Sequence, residues 1–137
     1  MTGHAAPSAI IIHSLDQAFA AATVAEAAAV PVFLRSAPGA AGYAGVGWFA
    51  ALAAMLAERH PSLQATLILD CADEAGTAMG ALRRGIRHIR FSGSPDIAAK
   101  LVSIGAILDT DTRPALDLLG EADPEAACRR WLSGADG

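Results

Sequence analysis

The sequence has little of what most functional signatures are made from. It contains two cysteines, Cys71 and Cys128, in 137 residues. A chain of this length needs no covalent staple, and two distant thiols form neither a disulfide framework nor a zinc site, so both are expected to be reduced. His4, His60 and His88 lie far apart without metal-ligand spacing, and no metal is expected. One lysine, Lys100, stands against nine arginines, and the formal net charge is -4. No basic tract is long enough to follow a phosphate backbone, so nucleic acid is not an expected partner. No apolar run approaches the roughly 18 residues that a membrane span requires, and the amino terminus lacks a charged segment followed by an apolar one. A soluble, cytoplasmic protein that does not engage membranes is the expectation. Neither G-x-G-x-x-G nor G-x-x-x-x-G-K-[ST] occurs, and no cofactor is expected. Aromatic residues make up only 5%. The core must therefore rest on Leu, Ile and Val between closely packed helices, and the abundant alanine favours helix.

What the sequence does have is a regular alternation. Thr66-Leu67-Ile68-Leu69 is an unbroken apolar run that ends abruptly in Asp70-Cys71-Ala72-Asp73. Such a run suits a strand covered on both faces, as in parallel sheets. Four more short runs are read as strands: 9–13, 32–35, 87–91 and 106–109. Each is followed by a helical pattern. Ser14 and Gln17 form a capping box before a helix reaching Ala29, and Pro31 prevents its continuation. A second helix ends near His60, and a third runs from Asp73 to Arg84 with Gly85 just beyond its end. Ser94 and Pro95 open a fourth, and Asp123-Pro124 a last one. Residues 36–47, with four glycines, are read as a long loop, residues 115–119 as one helical turn, and residues 1–8 as a loose leader. The whole chain, 1–137, is read as one α/β domain of five βα units.

Two closures of a parallel sheet compete. One is a three-layer, flavodoxin-like doubly wound sheet of order 2-1-3-4-5, favoured because it buries both faces without help. In the other, half of a (βα)8 barrel, all helices lie on one face and the opposite face is covered by a second copy. The alternation of His88 and Arg90 with Ile89 and Phe91 speaks for that closure. The stretch from Leu69-Asp70 through Gly85-Ile86-Arg87-His88-Ile89-Arg90-Phe91 to Ile104-Gly105-Ala106 resembles successive strand-helix units of TIM-barrel enzymes, over about a third of the chain. Lys100 falls within a helix rather than at a strand end, so the resemblance does not extend to Schiff-base chemistry.

Parallel strands direct their carboxyl ends to one edge, where ligands bind. That rule nominates His13, Asp70 and Cys71 as candidate catalytic groups: a general base, a carboxylate partner and a nucleophile. Each has an ordinary alternative, in a loop tie, a set of amide contacts or a core thiol. Candidate ligand-binding residues are Arg35, Gly45, Gly47, Asp73, Arg90, Ser92, Gly93 and Ser94. The glycine-containing loops before helices present backbone amides to an anion, and Arg35 and Arg90 add charge. Three functions remain open: a module binding a small anionic ligand, with phosphorylated compounds among the candidates; a lyase or hydrolase using His13 and Asp70; and a non-catalytic homodimeric assembly protein. The first is preferred, in a homodimer.

Overall fold

The computed structural model describes residues 8–134. Most of the expected leader thus lies outside the described residues. Ser8, its last residue, is held rather than loose: its hydroxyl donates to the Pro114 carbonyl at 2.5 Å, and its own carbonyl accepts the Trp131 indole N–H at 3.0 Å.

The fold is α/β, the class expected, with six helices and a six-stranded, wholly parallel sheet among the described residues. In chain order the elements are β1 (Ile10–Ile12), α1 (Leu15–Ala28), β2 (Val32–Ser36), α2 (Ala40–Tyr43), α3 (Val46–Arg59), β3 (Ala65–Asp70), α4 (Ala75–Arg83), β4 (His88–Arg90), α5 (Pro95–Ser103), β5 (Ile107–Leu108), β6 (Leu116–Asp117) and α6 (Pro124–Leu132). The local signals explain most boundaries. Ser14 Oγ accepts from the Gln17 amide, Ser94 Oγ from the Ile97 amide, and Asp123 Oδ1 from the Ala126 amide, so three helices start on side-chain caps. Gly85, at φ +83°, ends α4 in the left-handed conformation that glycine adopts most readily.

Two segments differ from expectation. The stretch read as one long loop contains the short helix α2, closed by the Ala44 amide on the Ala40 carbonyl. Residues 115–119, read as a helical turn, supply a sixth strand instead: the Leu116 amide bonds Ala9 and the Leu118 amide bonds Ile11. Leu118 is fully buried while Asp117 is exposed, a two-residue alternation too short to separate from a helical turn by period alone.

The strand order is 5-4-3-2-1-6, not 2-1-3-4-5. From β1 to β5 each strand lies beside its predecessor, and β6 returns to the free side of β1. Right-handed crossovers that all step in one direction deliver their helices to the same side. The helices do touch in a row, α6 on α1, α1 on α3, α3 on α4 and α4 on α5. Ile10, Ile12, Val32 and Leu34 face this row against the alanines of α1 and Cys128 of α6, and Leu69 and Ile89 face it against Phe49, Ala78 and Leu101. Small alanine side chains let α1 sit close to the sheet, which is how so few aromatics suffice.

The other face of the sheet carries a different chemistry. Register places Ile11, Arg35 and Ile68 in one layer, and Asp70 beside Arg90 in the layer toward the carboxyl ends. The sheet curls about this face. Arg35 of β2 reaches Asp109, just past β5, at 3.4 Å, although in a flat sheet those strands would stand about 14 Å apart.

Candidate functional site

Two strands, β3 and β6, end in aspartate and a third, β5, is followed by one, and each aspartate turns the chain by accepting an amide two residues on. Asp70 Oδ1 takes the Ala72 amide at 2.9 Å, Asp109 Oδ1 the Asp111 amide at 3.3 Å, and Asp117 Oδ1 the Leu119 amide at 2.9 Å. Asp70 Oδ1 also takes the Gly39 amide at 3.0 Å, which ties the loop before α2 to the end of β3. The carboxyl edge is thus lined by acids whose positions the backbone fixes.

Arg90, in the last position of β4, gathers two of them. Its Nη1 donates to Asp109 Oδ2 at 2.8 Å and to the Asp111 carbonyl at 2.9 Å, while its Nε lies 3.8 Å from Asp70 Oδ2. Beyond Asp109 the chain makes a second acid turn. Asp111 accepts the Arg113 amide and pairs with its guanidinium, and these bonds draw the Asp111 pKa down to about 2. Asp70, Arg90, Phe91, Ser92, Asp109, Thr110 and Thr112 surround a cleft of about 290 Å³.

Arg35 sits one layer beneath. Its side chain is 9% exposed and its Nη2 is 3.4 Å from Asp109 Oδ2, directed at the cleft wall. Nε and Nη2 of this guanidinium, both shielded from solvent, have no hydrogen-bond partner. Buried donors left unmade cost about 1–3 kcal/mol each, so this is the most expensive polar feature of the site.

Of the residues nominated from sequence, the structure brings Asp70, Arg90, Ser92 and Arg35 together. The others sit elsewhere. His13 does not meet Asp70 through a hydrogen bond; its Nε2 lies 2.6 Å from Asp117 Oδ1, at the ends of β1 and β6. Burial works to raise the Asp117 pKa, but the Leu119 amide and His13 outweigh it and hold the carboxyl below its ordinary value. Cys71 is 1% exposed among core side chains, and burial followed by the nearby Asp70 and Glu74 charges pushes its pKa up to about 11. It is a neutral thiol near pH 7, unlike an activated nucleophile. Asp73 is exposed and does not cap α4; Glu74 occupies that position, its carboxylate taking no helix amide but accepting from the Thr77 hydroxyl at 3.0 Å. Gly45, at φ +94°, precedes the first turn of α3, and Gly47 lies within it with the Arg84 guanidinium alongside. Ser94 is committed to its cap, and Gly93 is needed for another reason: a methyl group there would collide with the Phe91 ring.

Asp109, Thr110 and Thr112 were not nominated. The strand-end rule that selected Asp70 applies equally to Asp109, which follows the apolar pair Ile107-Leu108. Among the described residues no group of three or more His, Cys, Asp or Glu side chains is placed to hold a metal, and no helix is long and apolar enough to cross a membrane. No protein-family model matches the chain, and no curated protein matches it in sequence.

Proposed function

We propose that this protein binds a small anionic ligand in the cleft at the carboxyl edge of the sheet. The observation that carries the reading is Arg35: a guanidinium nine-tenths buried, beside the cleft, whose Nε and Nη2 make no hydrogen bond and whose Nη2 meets only Asp109 Oδ2, in an ion pair at 3.4 Å. An anion accepting from those donors removes their desolvation cost, and charge-assisted bonds to arginine are among the strongest that a small ligand makes. Arg90 adds a second positive centre, already oriented by Asp109 and the Asp111 carbonyl. In TIM-barrel enzymes, whose strand-helix units part of the sequence resembles, strand-end loops hold the ligand.

The test is thermal unfolding at constant ionic strength with a panel of carboxylates, phosphate and phosphorylated metabolites. A ligand at a hundred times its Kd adds about 2.7 kcal/mol of stability, a rise of several degrees in Tm. The expected result is a shift for at least one anion class in the wild type that disappears in Arg35→Met. No shift with any anion would overturn the reading.

A further inference from the structure

The charge balance of the cleft narrows the ligand further, an inference that rests on the anion-binding reading. Arg35 and Arg90 are matched by Asp70 and Asp109, so the site is close to neutral and a bare anion meets as much repulsion as attraction. A good ligand must satisfy both signs. Asp70 is half ready for it: Oδ1 is engaged by two amides, whereas Oδ2 stands 3.8 Å from Arg90 Nε, beyond hydrogen-bond distance. Three hydroxyl-bearing residues, Ser92, Thr110 and Thr112, line the same cleft, which at about 290 Å³ suits a compound of a few carbons.

The two Arg35 atoms that make no hydrogen bond also have a shape, Nη2 keeping only its 3.4 Å ion pair with Asp109. Nε–H and Nη2–H lie along one edge of the guanidinium plane and point the same way, and that edge matches the two oxygens of a carboxylate. We infer that the ligand is a small hydroxycarboxylate, its carboxylate taken side-on by Nε and Nη2 of Arg35 and its hydroxyls by Asp70 and the threonines of the cleft. Access requires movement, because both Arg35 atoms are shielded from solvent. The 109–113 turn carries its own internal bonds, from the Asp111 amide to Asp109 and from the Arg113 amide to Asp111, and these travel with it. The contacts that open are those of Arg90 to Asp109 and to the Asp111 carbonyl and the ion pair of Arg35 with Asp109, whose place the ligand carboxylate takes.

The experiment is calorimetric titration of the full chain with glycerate, propanoate and inorganic phosphate at one ionic strength. Glycerate and propanoate share a three-carbon frame and one carboxylate and differ in the hydroxyls. Glycerate is expected to bind at least tenfold tighter than propanoate, since a site that hydrogen-bonds hydroxyls rejects an analogue without them. Thr112→Val is expected to shrink that ratio, and Arg35→Met to abolish binding of both acids. Equal Kd values for the two acids, or binding of phosphate alone, would overturn the hydroxycarboxylate and leave the anion reading standing. Binding of none of the three, with no response across the wider panel, would overturn both.

Discussion

Replacing Arg35 with methionine should make the unliganded protein more stable while removing its response to anions. The wild-type side chain carries a charge that is 9% exposed, and Nε and Nη2 are unbonded. Those donors cost about 1–3 kcal/mol each. Against this stands the attraction to Asp109 at 3.4 Å, about 5 kcal/mol gross at an effective dielectric constant of 20. That gross figure is offset by the several kcal/mol needed to desolvate the ion, and by repulsion from Arg90 across the same carboxylate. Asp109 keeps its 2.8 Å bond from Arg90 Nη1 when Arg35 is gone, so no orphaned acid is created. Methionine fills much of the same length with apolar atoms. Replacing a whole buried ion pair by apolar residues is often neutral or stabilising by about 1–4 kcal/mol; here one partner goes and Asp109 keeps Arg90, so a gain of about 1–2 kcal/mol is expected, at roughly 3–4 °C in Tm for each kcal/mol at this chain length. Urea denaturation with and without the binding anion, both at fixed ionic strength, separates the two effects. A loss of 3 kcal/mol or more in the unliganded variant would make Arg35 a structural ion pair. An anion-induced shift that survives the substitution would refute the site.

Other consequences follow from the same geometry. The Asp111 carboxyl, bonded by Arg113, should titrate at about 2 in the native protein and return toward the ordinary carboxylate value in Arg113→Ala, as followed by NMR. Because its folded pKa is lowered, its contribution to stability is present above about pH 4 and declines toward pH 2; an ordinary titration in the wild type would contradict the pairing. Cys71 and Cys128, both buried with pKa values pushed up to about 11, should resist an aromatic disulfide reagent at pH 8 and react only on unfolding. Rapid labelling of Cys71 in the folded state would restore it as a candidate nucleophile. Ala29 ends α1 at φ 57° with its amide on the Ala25 and Glu26 carbonyls, a left-handed position that disfavours a Cβ. Ala29→Gly should therefore raise stability by about 1 kcal/mol, and a decrease measured in urea would contradict the assigned backbone.

The class of fold was legible because its signals are local. Caps at Ser14 and Ser94, the stop at Pro31 and the glycine after α4 lie within a few residues of the structure they determine. Helix faces are harder to read from an alanine-rich sequence. Phe49, Leu52 and Leu56 are the fully buried side chains of α3, whereas Met55 turns outward, because adjacent stripes on an alanine-rich helix differ little in hydrophobicity. Strand order was not legible, since no residue within a βα unit states which way the next crossover steps. The site shared that fate in part. Asp70, Arg90 and Ser92 follow from the strand-end rule, but the meeting of Arg35 with Asp109 depends on the curl of the sheet across β3 and β4. His13 was identified as a strand-end group, yet its partner is on β6, a strand too short to show its period.

The most direct measurement is an NMR titration that follows the Nε–H resonances of Arg35 and Arg90 and the backbone amides of residues 90–92 and 109–112 as glycerate is added. The account predicts a saturable downfield shift of the Arg35 Nε–H, with the amides beside the cleft moving at the same midpoint. An Arg35 resonance that stays still while glycerate binds elsewhere would contradict it.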